Sequence, residues 1–462
     1  MVLFFRGIIC DSVQIHKISF LQYMFRQKLT SLFRPGFHSA KWASLCLGFL
    51  LFWFHADGVA VQNVNGPSSQ NEKVVIPFQY VNGFIVVQLT FQNLLPLRFI
   101  LDTGAENSIL FKKEYADLLG LNYVKTIRLM GSDLSREMKA LVSNGVSLQL
   151  QGLPPSRQNL IVLEEDFVLV EEIVGVPVDG LIGCSFFGGK PLKIDYKKQE
   201  LTIFTPKAFQ KERLKGFQVL PLEVIQRKPY LQAEVRTQQQ NSTSVRLLLD
   251  TGAALSCLIH SNTDSLLRPT GKLLPGNLGK GLGGDIEGYT GILWELKMGD
   301  LVYQNLIASF QNLDSAAIRS DRLTRNGLLG NLLMERFTLI FDWNGGRLFM
   351  RPEKKYNRPF EFDKSGLTIF AFGPKLNRFS VRHILPGSPA EIAGLQAGDE
   401  IIKVGRWPVF WTTLARLNKK LASKEGKKIS LTWLRNGEEM TSALILRNLF
   451  DTPQILPRTL KK

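Results

Sequence analysis

An internal repeat limits the possible folds of this chain more than any other feature. FILDTGAENSIL at 99–110 returns as LLLDTGAALSCL at 247–258, so that Asp102 matches Asp250 at an offset of 148 residues. GLIGCSFF at 180–187 returns as GLLGNLLM at 327–334, and LKIDYKKQELTIFTP at 192–206 as TLIFDWNGGRLFMRP at 338–352, where Asp195 matches Asp342. VIPFQYVNGFIVVQL at 75–89 is mirrored by VLPLEVIQRKPYLQA at 219–233. Four landmarks in one order at one offset mean two tandem copies of one domain, over 72–209 and 215–353.

Each copy reads as β. VVIPFQYVNGFIVVQLTF, LRFILDTG, GVSLQLQG and KIDYKKQELTIF are short alternating or apolar runs broken by Gly, Asn or Pro. Helical signals are brief, as in KKEYADLLG at 112–120, which closes on glycine. The repeat also isolates a question of charge. Asp102 follows Phe99-Ile100-Leu101 directly, and an ionised carboxylate at the end of a buried strand is costly unless it is hydrogen-bonded or functional. Two such acids brought together about a pseudo-twofold axis cannot both ionise cheaply, so they share a proton. The ionised member can deprotonate a water, while the protonated member hydrogen-bonds a carbonyl and helps protonate a leaving amine. That chemistry is amide hydrolysis, and it uses no metal and no cofactor.

Other catalytic classes find little support. The five histidines at 16, 38, 55, 260 and 383 are scattered, and the four cysteines at 10, 46, 184 and 257 show no paired spacing for zinc or a disulfide framework. No Gly-x-Ser-x-Gly elbow is present. The net charge of +17 is uneven, with +11 in 354–462, but no basic-aromatic RNA-binding signature goes with it, so no nucleic-acid partner is expected.

Two apolar-apolar-Asp-Thr-Gly-Ala motifs, each followed some 75 residues later by apolar-apolar-Gly, resemble the aspartic proteases, and the alanine after glycine resembles the retropepsin branch. The resemblance implies two pseudo-twofold-related acid-protease β lobes with Asp102 and Asp250 as the catalytic pair. It implies active-site support from Thr103, Gly104, Ala105, Thr251, Gly252 and Ala253. The threonines would hydrogen-bond across the dyad, the glycines would let the backbone approach the carboxylates, and 181–183 and 328–330 would pack behind the loops. A flap hairpin would close over the substrate. GLGGDIEGYTGILWELKMG at 281–299 fits in the second copy, and RLMGSDLSREMKALVSNGVSLQL at 128–150, with its tip near 131–133, in the first. Gly131, Gly284 and Tyr289 are the flap or substrate candidates.

The chain departs from the retroviral pattern. Cys184 and Asn331 stand where Arg usually follows apolar-apolar-Gly, and Glu106 and Ala254 stand where its Asp partner would be. The ion pairs that fasten separate subunits are thus missing, as suits lobes joined covalently. Ala105 and Ala253 also cannot donate the hydroxyl hydrogen bond of the Ser-type relatives, so the dyad is expected to titrate higher and to favour mildly acidic to near-neutral pH.

The flanking segments suggest an address and a partner. ASLCLGFLLFWF at 43–54 has a basic flank and small residues at Gly58 and Ala60, the pattern of a secretory signal peptide cleaved after Ala60. The protein is therefore expected to be secreted or in the periplasm or cell envelope, with membrane association through 1–60 if that leader is retained. After a junction at 353–366, FSVRHILPGSPAEIAGLQAGDEIIKVG at 379–405 resembles a bacterial-type PDZ domain, an α+β unit over 363–450. Asp399 reads there as a turn residue. PDZ domains add an extended C-terminal peptide to a sheet edge and hold its carboxylate in a backbone nest, which implies such a ligand here beside peptide or protein substrates. The whole is mainly β, and its expected function is an aspartic endopeptidase. The alternative is a catalytically inactive peptide-binding or scaffold protein of the cell envelope.

Overall fold

The computed structural model describes residues 73–131, 137–164, 170–237, 241–281, 284–314, 318, 325–450 and 458–459. The leader at 1–60 and the flap residues Ser132 and Asp133 lie outside the described residues. The fold is mainly β, in two like lobes, a sheet shared between them, and a separate C-terminal domain.

Each lobe is an eight-stranded sheet along its main path, wound in the same order. In the first, strand Leu95–Leu101 runs parallel to Gly180–Ile182, which pairs antiparallel with Ser108–Leu110. In the second, Thr243–Asp250 runs parallel to Gly327–Gly330, which pairs antiparallel with Cys257–His260. The apolar runs Phe99–Leu101 and Leu247–Leu249 are fully buried, as expected of strands covered on both faces. Each run delivers its aspartate at the point where the chain leaves the sheet.

The third repeated landmark builds the joint. Strands Leu192–Asp195 and Phe337–Asp342 pair antiparallel at the centre of a six-stranded sheet that takes strands from both lobes. Lys193 pairs with Ile340, its own counterpart in the repeat, so the local twofold axis passes through that pair. The matched acids Asp195 and Asp342 pin equivalent hairpin turns, accepting from the N–H of Lys198 and of Gly345, each at 3.0 Å. One hydrophobic core runs through both lobes and this sheet, from Phe99 and Leu101 through Ile194 and Leu339 to Leu247 and Leu249.

The C-terminal domain has its own core around Phe379, Ile401, Leu417, Leu431 and Trp433. Its sheet runs Leu367–Phe372, Arg378–Ile384, Glu400–Val404, Lys428–Arg435, Glu438–Ile445, so Leu367–Phe372 is an edge strand, with helix Leu414–Leu421 lying against it. Asp399 is the turn residue expected: buried, it accepts from Gln396 N–H at 2.7 Å and from Arg435 Nε and Nη2 at 2.8 Å. The junction ahead of this domain is clamped. Arg336 of the second lobe donates to the carbonyls of Lys355, Tyr356, Arg358 and Pro359, with its guanidinium 3.6 Å from the Phe360 ring centre.

Candidate active site

The two Asp-Thr-Gly loops meet at the floor of a cleft between the lobes. Thr103 Oγ1 donates to Leu249 O at 2.6 Å and accepts from Thr251 N–H at 3.0 Å. Thr251 reciprocates, donating to Leu101 O at 2.7 Å and accepting from Thr103 N–H at 3.0 Å. Both threonines are fully buried. A buried hydroxyl serving two backbone groups on the opposite lobe cannot be replaced by methyl without leaving both unpaired. Thr103→Val is expected to cost about 2–4 kcal/mol in denaturant unfolding, and a loss below ~1 kcal/mol would mean that this grip contributes little.

The carboxylates sit just above this grip. Asp102 Oδ1 accepts from the N–H groups of Gly104 at 2.7 Å and Ala105 at 3.1 Å, while Asp250 Oδ1 accepts from Gly252 N–H at 2.8 Å. The glycines face across the axis. A Cβ on Gly104 would lie 2.6 Å from Asp250 Cγ, and one on Gly252 2.6 Å from Asp102 Cγ. Each glycine Cα is therefore packed against the other lobe's carboxylate, which only a residue without a side chain allows.

Burial holds the Asp102 carboxyl well above the usual carboxylate range, and the adjacent Asp250 charge raises it further. Asp250 is also raised by burial, but the positive charge of Arg325, the Gly252 N–H and Lys228 oppose that rise. Both carboxyls are thus raised by burial, and the pair holds one shared proton more tightly than a free carboxylate would. There is a consequence for stability. A carboxyl with a raised folded pKa contributes stability that is fully present below the ordinary carboxylate range and is lost as pH rises through the raised value. Asp102→Asn removes that loss, so it should raise the melting temperature by ~2 °C or more at pH 7 and leave it little changed near pH 3. A melting temperature unchanged or lowered at pH 7 would contradict it.

Two residues outside the Asp-Thr-Gly motifs complete the floor. Cys184 Sγ donates to Thr103 O at 3.3 Å, and at the matching place Asn331 Nδ2 donates to Thr251 O at 2.5 Å. Where an arginine was expected, each lobe has a neutral donor holding its own threonine carbonyl. Asn331 also crosses the axis, with Nδ2 donating to Gly83 O at 2.8 Å and Oδ1 accepting from Tyr196 OH at 2.6 Å. The sequence marked Asn331 only as a departure from pattern, and its repeat alignment with Cys184 is the signal that could have pointed to its role. Burial pushes both thiols up, Cys257 to about 12, so neither cysteine is a nucleophile at ordinary pH. Among the described residues no cluster of His, Cys, Asp and Glu could hold a metal.

Above the dyad lies a cavity of ≈ 1400 Å³, lined by both aspartates, Gly104, Gly252, Ala105 and Ala253 and by residues of both hairpins. Leu129 and the buried Gly131 come from hairpin Tyr123–Met130/Glu137–Leu150, and Leu278, Gly281 and Ile286 from Leu274–Gly281/Gly284–Met298. Gly284 pairs with Gly281 beside the second tip but does not line the cavity. Tyr289 does not line it either and is 43% exposed. Ile286 lines the cleft, and Tyr289, three positions on in the same strand, is on the opposite face. Tyr289 is thus an exposed aromatic of the flap hairpin, and Ile286 and Leu278 are the apolar residues that this hairpin turns to the cleft.

The sequence model of the family described as aspartyl protease matches residues 87–186 and 233–332, one segment in each lobe. Each matched segment carries one Asp-Thr-Gly motif, so both lobes are similar to that family. A PDZ domain model matches 380–435. The chain is similar to the magnetosome formation protease MamE of Magnetospirillum gryphiswaldense, 40% identical over 103 residues, which are 21% of this chain and 12% of MamE. The chain thus spans only a small part of that relative's length. Two solved structures are similar to it: basic 7S globulin from soybean, at 10% identity and TM-score 0.37 over 61% of this chain and 95% of that one, and the aspartic proteinase of Irpex lacteus, at 12% identity and TM-score 0.37 over 61% and 98%. The aspartyl protease lobes and the PDZ domain are in contact. Helix Val170–Val174 of the first lobe lies against PDZ strand Leu367–Phe372, and Arg382 pairs with Asp285 of the second hairpin at 3.5 Å.

Proposed function

We propose that this chain is an aspartic endopeptidase whose two lobes hydrolyse peptide bonds with a water held between Asp102 and Asp250. The reciprocal packing carries the reading: each motif glycine rests on the opposite carboxylate, so the two acids are held together by backbone rather than by flexible side chains. In this reading Asp250, beside the charges of Arg325 and Lys228, is the ionised member and takes a proton from the water. The hydroxide equivalent adds to the scissile carbonyl carbon while protonated Asp102 hydrogen-bonds the carbonyl oxygen. The C–N bond then breaks as the leaving nitrogen receives a proton from the pair. Ala105 and Ala253 offer the carboxylates no hydroxyl, which supports activity at mildly acidic to near-neutral pH.

We assign the chain to the secreted or envelope compartment on the leader pattern at 43–60 alone. The test of activity is cleavage of a diverse peptide library from pH 4 to 8 by the wild type and its Asp250→Asn variant. Cleavage lost in the variant supports the reading. A wild type that cuts nothing at any pH favours the scaffold alternative.

A further inference from the structure

The cavity over the dyad does not end at the lobes. It continues along the PDZ domain, where Leu367, Thr368 and Ile369 of the edge strand and Ala415, Asn418 and Lys419 of helix Leu414–Leu421 line it. The space between that strand and that helix is where a PDZ domain adds a peptide as a further strand, and here it opens onto the catalytic floor. The loop leading into the strand, Asp363-Lys364-Ser365-Gly366, carries the backbone N–H groups that such a domain turns toward a ligand's terminal carboxylate.

Those donors already have a carboxylate. Gly366 N–H donates to Asp363 Oδ2 at 2.5 Å and Ser365 Oγ donates to Asp363 Oδ1 at 2.6 Å. Leu367 N–H donates to Ser365 Oγ at 3.2 Å, so the hydroxyl that holds Asp363 is itself tied to the start of the strand. A nest of successive N–H groups binds one anion, so a second carboxylate would have to expel the first and leave the Asp363 charge half-buried without its donors.

We propose that Asp363 fills the carboxylate nest of the PDZ domain, so that its groove takes an internal, extended segment of a polypeptide rather than a free C-terminus and leads that segment into the cleft. The last clause rests on the protease reading, whereas the occupied nest does not. The substrate class is then unfolded or extended chain, recognised at a distance from its ends. Helix Val170–Val174 bounds this path on the lobe side: it lies against the edge strand, its Val170 and Ile173 line the same cavity, and a Cβ on the following Gly175 would meet Leu414 Cβ of the PDZ helix at 3.0 Å.

The test uses the full chain carrying Asp250→Asn and an array of random decapeptides made twice, with a free C-terminal carboxylate and as the C-terminal amide. The two series should bind alike, and Ala415→Arg, which fills the groove, should lower binding to both. Asp363→Ala should create a preference of about tenfold or more for the free carboxylate, as expected for freeing charge-assisted hydrogen bonds. Asp363→Asn, which keeps an acceptor in the turn but removes the charge, guards against misfolding and should shift preference the same way. The proposal is overturned if the Asp250→Asn chain already prefers the carboxylate series tenfold and Asp363→Ala leaves that preference unchanged, or if Ala415→Arg leaves binding intact. It is overturned too if neither series binds. Cleavage of the array by the wild type is read separately: equal binding without cleavage would refute the protease reading while the occupied nest stands.

Discussion

Asp102→Asn and Asp250→Asn are each expected to lower kcat by about 10³-fold or more, with KM changed far less. An asparagine keeps the size of the side chain and can still accept from Gly104 or Gly252 N–H, so the loops have no reason to move. It cannot share the proton. In the proposed reaction Asp250→Asn leaves the water without a base, and Asp102→Asn leaves a side chain that can donate to the carbonyl oxygen but has no proton to pass on to the leaving nitrogen. The double variant should be scarcely slower than either single one, because the two acids act as a unit. Losses that simply multiply would mean that the carboxylates act independently. In the proposed mechanism the wild type needs one proton on the pair, so its activity should fall at low pH, where both are protonated, and again at high pH, where neither is. Burial and mutual repulsion raise the proton affinity of Asp102, which carries the upper limit toward neutrality. A profile confined to strongly acidic pH would refute that assignment.

Gly104→Ala should cost about 10²-fold in activity although it removes no chemical group. Its new Cβ would lie 2.6 Å from Asp250 Cγ and 2.6 Å from Oδ2, well inside contact distance, so the opposite carboxylate or the whole loop must shift. A displacement of about 1 Å between reacting groups costs ~10²-fold in rate. Gly252→Ala should do the same to Asp102, against which its Cβ would press at 2.6 Å. The two measurements together probe the pseudo-twofold axis: similar losses are expected from substitutions 148 residues apart in sequence. Retention of more than about a third of the wild-type kcat in either variant would show that the dyad tolerates displacement, contrary to a preorganised pair.

The reading of Tyr289 shows where sequence runs out. A Gly-rich hairpin with an aromatic suggests a flap residue, but the face a strand residue presents depends on register, and a shift of one reverses it. The observed pairing of Tyr289 with Pro275 and with Phe310 puts Ile286 on the cleft face instead. Asn331 teaches a similar lesson. Sequence could say that an arginine was missing, but not that a neutral amide would hold Thr251 O, Gly83 O and Tyr196 OH together, since Gly83 lies 248 residues away and Tyr196 135.

The sequence by itself determined that the chain repeats, that each copy is β, and that each copy ends a buried apolar run in Asp-Thr-Gly-Ala. These are local properties: strand propensity, apolar periodicity and the cost of a charge beside Leu101 or Leu249 are written in a few adjacent residues. Only the tertiary structure decided that Lys193 pairs with its own counterpart Ile340, that Gly104 packs on Asp250, and that Asp363 fills a nest opening onto the same cavity as the dyad. Each of those depends on which surfaces meet after the chain has folded, and contacts across lobes follow from the shape of the whole rather than from the pattern of any one segment.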